Sequence, residues 1–254
     1  MVNRSTSAPS PLSPTLWPPD AFRWYRSLLF GAALAVVFLV PPIFFAAWIA
    51  LTYHARSMSA VPLRVIIIGQ LIAYVPALVL LLTGLPWLAR RSLRELGLYP
   101  PRLREVAWGL GGAAGMFVVA QAIGAIEESV FHQKLRETAV DLLRHAHGAD
   151  LAGFALLAIV AAPLVEELIF RGFFFNAFLR YLPAVTAGLL SAILFGLAHY
   201  DKESPTAVIP LMGGGAVLAW VYYRSGALIS TMIAHGTFNA VTVLAVISQQ
   251  AAAH

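Results

Sequence analysis

Apolar residues fall in long blocks along this chain, at about Leu28–Thr52, Val65–Leu88, Val106–Ile126, Leu151–Phe178, Ala184–His199, Ala207–Tyr223 and Ala227–Ile247. Crossing a hydrocarbon core of roughly 30 Å takes about 20 apolar residues of helix, and most of these blocks are that long. The pattern predicts an all-α transmembrane bundle of seven spans, or eight if the fourth block divides. That block is too long for one straight span at about 1.5 Å per residue. Pro163 lies inside it and is expected to kink or break the helix. Residues 127–150 mix charged and apolar positions and read as an interfacial amphipathic segment.

The expected organisation is therefore a disordered Ser/Pro-rich tail at 1–20, three spans within 21–126, the interfacial segment at 127–150 and a helical core at 151–254. Gly111 with Gly115, and the run Gly213, Gly214 and Gly215, are expected to let helices approach closely, as ordinary bundle packing. Composition sharpens the class. Hydrophobic residues make up 59% of the chain and charged ones 11%, against about 25% charged in soluble domains, so the whole length reads as one membrane domain.

The net charge of +5 does not signal nucleic acid, because the arginines sit in short loops beside apolar runs, where they set topology and meet lipid headgroups. The richest loop, RRSLRELGLYPPRLRE, favours a cytoplasmic N-terminus and a multi-pass protein of the plasma membrane. With three spans before it, the turn at Pro183 then faces the cytoplasm. There is no cysteine, which excludes a thiol nucleophile, a disulfide framework and a thiolate metal site.

Against this background a few ionisable groups stand out inside apolar blocks: Glu166, Glu167 and Arg171 in PLVEELIFRGF, His199 at the end of ILFGLAH, and His235 with Asn239 in IAHGTFNA. Charge within a bilayer costs roughly 2.5 to 3.5 kcal/mol per group, so such residues mark function by default. Glu167 and Arg171 are four apart on one helix face and read as a structural ion pair. Glu166 points about 100° away with Phe170 one turn on, and without a local cation it is the carboxylate left for acid or base chemistry.

Positions 166 and 199 are equidistant from the turn before Pro183. In a regular helical hairpin both lie about 24 Å of helix from it, at one depth. His235 and Asn239 share a helix face in the same way. Taken singly the bland readings hold, with His199 as an interfacial residue and Asn239 as interhelical glue. It is the joint occurrence that favours a site. His54, His132, His145, His147 and His254 lie in loops, interfacial segments or the tail and are not expected to take part.

Three motifs in order, EExxxR (Glu166, Glu167, Arg171), FxxxH (Phe195, His199) and HxxxN (His235, Asn239), resemble the CAAX prenyl endopeptidase family and its bacterial relatives, the CAAX protease and bacteriocin-processing group. The resemblance covers about Leu151 to Ile247. It implies an intramembrane endopeptidase acting on a membrane-associated peptide or protein, prenylated or of bacteriocin type. In it Glu166 and His199 activate a water, His235 and Asn239 stabilise the oxyanion, and Glu167, Arg171 and Phe195 give support.

No cofactor is expected; the alternative is a zinc ion held by Glu166, His199 and His235, the three-ligand pattern of catalytic zinc. HExxH, GxSG and GxGD are all absent, which excludes the site-2, rhomboid and presenilin-like classes. A second function class uses the same cluster without catalysis, as a proton- or cation-coupled carrier or a peptide-toxin immunity factor.

Overall fold

The computed structural model describes residues 18, 20–53, 61–131, 138–144, 146–200 and 205–252; all of the expected tail except residues 18 and 20, and the loop and tail histidines 54, 132, 145 and 254, lie outside them. Each apolar block forms a helix, and no strand occurs among the described residues. In chain order these are α1 (Trp24–Tyr53), α2 (Leu63–Ala89), α3 (Leu103–Phe131) and the short α4 (Thr138–Arg144). There follow α5 (Gly148–Leu179), then α6 (Ala184–Ala198), α7 (Val208–Ser225) and α8 (Leu228–Ala252). Helices α1, α2, α3, α5 and α8 are long and apolar enough to cross a membrane, and the chain is an integral membrane protein of all-α architecture. Their outer faces carry exposed Leu, Ile, Val, Phe and Trp side chains, as lipid contact requires.

Helix α5 is the central post. It meets the α1/α2 pair through α2 on one side and the α6–α8 group on the other, where α6 packs on α7 and α3 packs on both α7 and α8. The close approaches are made by small residues. A Cβ on Gly196 would lie 2.4 Å from Met212, and one on Gly215 would lie 3.1 Å from the Ala192 backbone, so α6 and α7 cross nearly in contact. On α3 the close face includes Gly115 of the expected GxxxG pair, where a Cβ would lie 3.2 Å from Val217, but not Gly111. Gly111 faces open space, whereas Gly109 and Gly112 meet Ile233, Val221 and Ala234. Position within the helix turn decides which glycine touches a neighbour, and the motif spacing alone does not supply it.

Pro163 neither breaks nor ends α5. The helix runs through it because π-helical stretches at Leu157–Ala161 and Leu168–Phe175 flank a short α segment, Ala162–Glu167. A wider turn immediately before the proline relieves the clash and the missing N–H that would otherwise kink the chain. The extra residue per π turn also uncouples carbonyls from the regular ladder, and these recruit side chains. Asn176 Nδ2 donates to the Arg171 and Gly172 carbonyls, and Ser191 Oγ on α6 donates to Phe170 O at 2.8 Å.

The arginine-rich loop between α2 and α3 docks on the turn between α7 and α8. Gly97 adopts φ +86°, with the position of an added Cβ only 2.3 Å from Ala227 Cα, and its carbonyl accepts the Ile229 N–H at 3.0 Å. Both the left-handed backbone and the close contact call for glycine. Gly97→Ala is expected to destabilise the protein by about 1–3 kcal/mol, read as an earlier thermal unfolding transition in detergent; an unchanged transition would show that the loop is not docked there.

Candidate active site

The α segment between the two π stretches carries Glu166 and Glu167, both buried. Their partners come from three other helices. His199 is the residue that ends α6 and lies beyond its last helical turn, with φ −98°. Its Nε2 stands 3.5 Å from Glu166 Oε2, and the side chain keeps 32% of its surface exposed where that of Glu166 keeps 9%. His235 Nε2, from α8, lies 3.9 Å from the same oxygen. The other carboxylate oxygen, Oε1, accepts the Tyr74 hydroxyl of α2 at 2.6 Å.

Helix α8 reaches this position because it seats directly on the first π stretch of α5. Gly236 leaves room for the Ile159 carbonyl, which would lie 2.7 Å from a Cβ there. Asn239 Nδ2 donates to the Ala158 carbonyl at 2.7 Å. One of its two N–H groups is thus engaged in holding the helices together, the interhelical role that a lone asparagine suggests.

Glu167 does more than pair with its helical neighbour. Its Oε1 accepts both Arg171 Nη1 at 2.9 Å and His235 Nδ1 at 3.0 Å. Arg171, fully buried, also donates to the Gly215 carbonyl of α7 at 2.7 Å. Its guanidinium lies 4.8 Å from the Phe195 ring centre. Phe195 is a junction: His199 and His235 stand against the same ring at 4.7 and 5.7 Å.

Hydrogen bonding fixes the ring states. A backbone carbonyl can only accept, so His199 Nδ1, 2.7 Å from Phe195 O, carries a hydrogen. Glu167, ionised against Arg171, likewise requires N–H at His235 Nδ1. In the neutral rings both Nε2 atoms are then acceptors, and they face Glu166 Oε2, an acceptor with no hydrogen-bond partner among the described residues. A ring that also carries a proton at Nε2 would instead donate to that oxygen.

The same group was tested against zinc. Among the described residues no three His, Cys, Asp or Glu side chains are grouped to hold a metal ion. Glu166 is held through Oε1 by Tyr74, which leaves Oε2 turned toward the two histidines.

A cavity of about 600 Å³ opens onto this cluster. Glu166, His199, His235 and Asn239 form its polar wall, and apolar side chains including Phe38, Ile66, Leu143 and Phe154 form most of the remainder. All of the site residues expected from sequence are brought together here. Tyr74 was not among them; a tyrosine inside an apolar run one turn after Gln70 is the only signal that could have found it.

A helical membrane bundle with a buried Glu/His cluster over an apolar cavity is the class that fold and site define. Residues 148–241, the segment that holds all three motifs, match the family described as type II CAAX prenyl endopeptidase Rce1-like. Over 184 residues the chain is also 26% identical to "Putative membrane peptidase YdiL" of Bacillus subtilis (strain 168), covering 69% of this chain and 70% of that one. No solved structure matches the chain significantly.

Proposed function

We propose that the protein is an intramembrane endopeptidase that hydrolyses a peptide bond of a membrane-associated substrate, using water activated by Glu166 and His199. The observation that carries this reading is the convergence of Glu166 Oε2 with the two Nε2 atoms at 3.5 and 3.9 Å. A water among them donates a proton to Glu166 as its oxygen attacks the scissile carbonyl, and that proton passes to the leaving amine as the C–N bond breaks. His235, carrying at Nε2 a proton taken up from solvent before the attack, and the second N–H of Asn239 are the donors for the oxyanion. Glu167 orients the His235 ring, and Arg171 holds the Glu167 carboxylate in place.

The apolar wall of the cavity suits a substrate held at the bilayer, and the names of the matching family and relative, both peptidases, agree with the chemistry. In this reading the reaction is metal-independent, with Glu166 as base rather than ligand.

The test is cleavage of a fluorogenic peptide library by purified protein in detergent, for wild type and His199→Ala, with and without a zinc chelator. Wild type is expected to cleave, the variant to lose about 10²-fold or more, and chelation to leave the rate within about twofold. Loss with chelator and recovery with zinc would assign a metalloenzyme instead. No cleavage by well-folded wild type across the library would move the cluster to a carrier or immunity role.

A further inference from the structure

We propose that Tyr74 is a positioning residue for the reaction, a hydroxyl supplied by α2 that sets the orientation of the Glu166 carboxylate. The inference rests on the reading of Glu166 as the base and adds to it a residue from outside the segment matched by the family, 148–241. Tyr74 is buried. It lies 92 positions before Glu166 and donates to Oε1 at 2.6 Å, the short distance of a charge-assisted bond.

A glutamate carboxylate turns broadly about its last torsion. Without a fixed partner its two oxygens would exchange places, and neither would be held toward the histidines. The Tyr74 hydroxyl takes one oxygen, and the other, Oε2, is the one that faces His199 and His235. The tyrosine is itself held, its ring stacked on Phe38 of α1 at 6.0 Å between centres and 20° between planes. Helix α2 touches α5 along the segment that bears Glu166. The α1/α2 pair thereby contributes to the chemistry through a single hydroxyl.

The bland alternative is a buried tyrosine that has merely found an acceptor. Tyr222 provides the comparison. Its hydroxyl is also buried and bonded, to Asn176 and to the Leu96 carbonyl, but it lies outside the cluster around Glu166. Tyr74→Phe and Tyr222→Phe are compared in full-length protein in detergent, with kcat, KM and thermal unfolding measured on a peptide that wild type cleaves.

Tyr74→Phe is expected to lower kcat by about 10- to 100-fold, the loss that small misplacements of a reacting group produce, with KM within about twofold. Tyr222→Phe is expected to lower the unfolding temperature and leave kcat in place. In a Glu166→Asp background, where the shortened side chain no longer reaches the hydroxyl, Tyr74→Phe should cost nothing further. Wild-type kcat in Tyr74→Phe, or a loss confined to stability or KM, overturns the assignment of Tyr74 and leaves Glu166 as the base. Full activity in Glu166→Gln overturns the underlying reading instead.

Discussion

Glu166→Gln is expected to abolish peptide cleavage, lowering kcat by about 10²- to 10⁴-fold, in a protein that still folds. The carboxamide has nearly the shape of the carboxylate, and its oxygen can accept the Tyr74 hydroxyl that now meets Oε1. What it cannot do is take a proton from water. The oxygen 3.5 Å from His199 Nε2 and 3.9 Å from His235 Nε2 is where that capacity is lost. Cleavage of the fluorogenic peptide and thermal unfolding, measured on the same preparation, separate chemistry from folding. A variant retaining more than about a tenth of wild-type kcat would place the base elsewhere, with Glu167 the nearest carboxylate.

Arg171→Met is expected to be the most damaging single change to stability, about 3–5 kcal/mol, because it leaves a buried carboxylate without its cation. Both side chains of the Glu167–Arg171 pair are fully buried, so water cannot replace the lost partner. Arg171 also ties α5 to the Gly215 carbonyl of α7. Removing both charges, Glu167→Gln with Arg171→Met, is expected to restore much of the stability, since replacing a whole buried pair is often near neutral. It should not restore activity, because His235 Nδ1 then meets a neutral carboxamide in place of the carboxylate. Thermal unfolding alongside cleavage reads both effects. An Arg171→Met protein that unfolds no earlier than wild type would contradict the ion-pair account.

Much of this site is legible in the sequence because helix geometry is linear in residue number. Glu166 and His199 lie equally far from the Pro183 turn, and their facing atoms meet at 3.5 Å. The Glu167–Arg171 pair follows from i,i+4 spacing in the same way. Contacts between elements separated by long connections are not legible. Nothing in α8 announces that His235 will reach Glu167, because its depth relative to α5 depends on Gly236 fitting over the Ile159 carbonyl. Tyr74 is hidden for the same reason. At Pro163 the helix does not break, for a local reason: a proline clashes with a regular α turn, and the turn before it is not regular.

Those wide turns bear on how relatives of this chain should be aligned. A π turn holds one residue more than an α turn, so a homologue lacking one residue within Leu157–Ala161 or Leu168–Phe175 can complete the same helix as ordinary α. Side chains on either side of the deletion would then keep their facing, because the wide turn had absorbed the extra residue. A gap within either wide turn therefore preserves facing, and an alignment that shifts it into the neighbouring loops would match side chains that look in different directions.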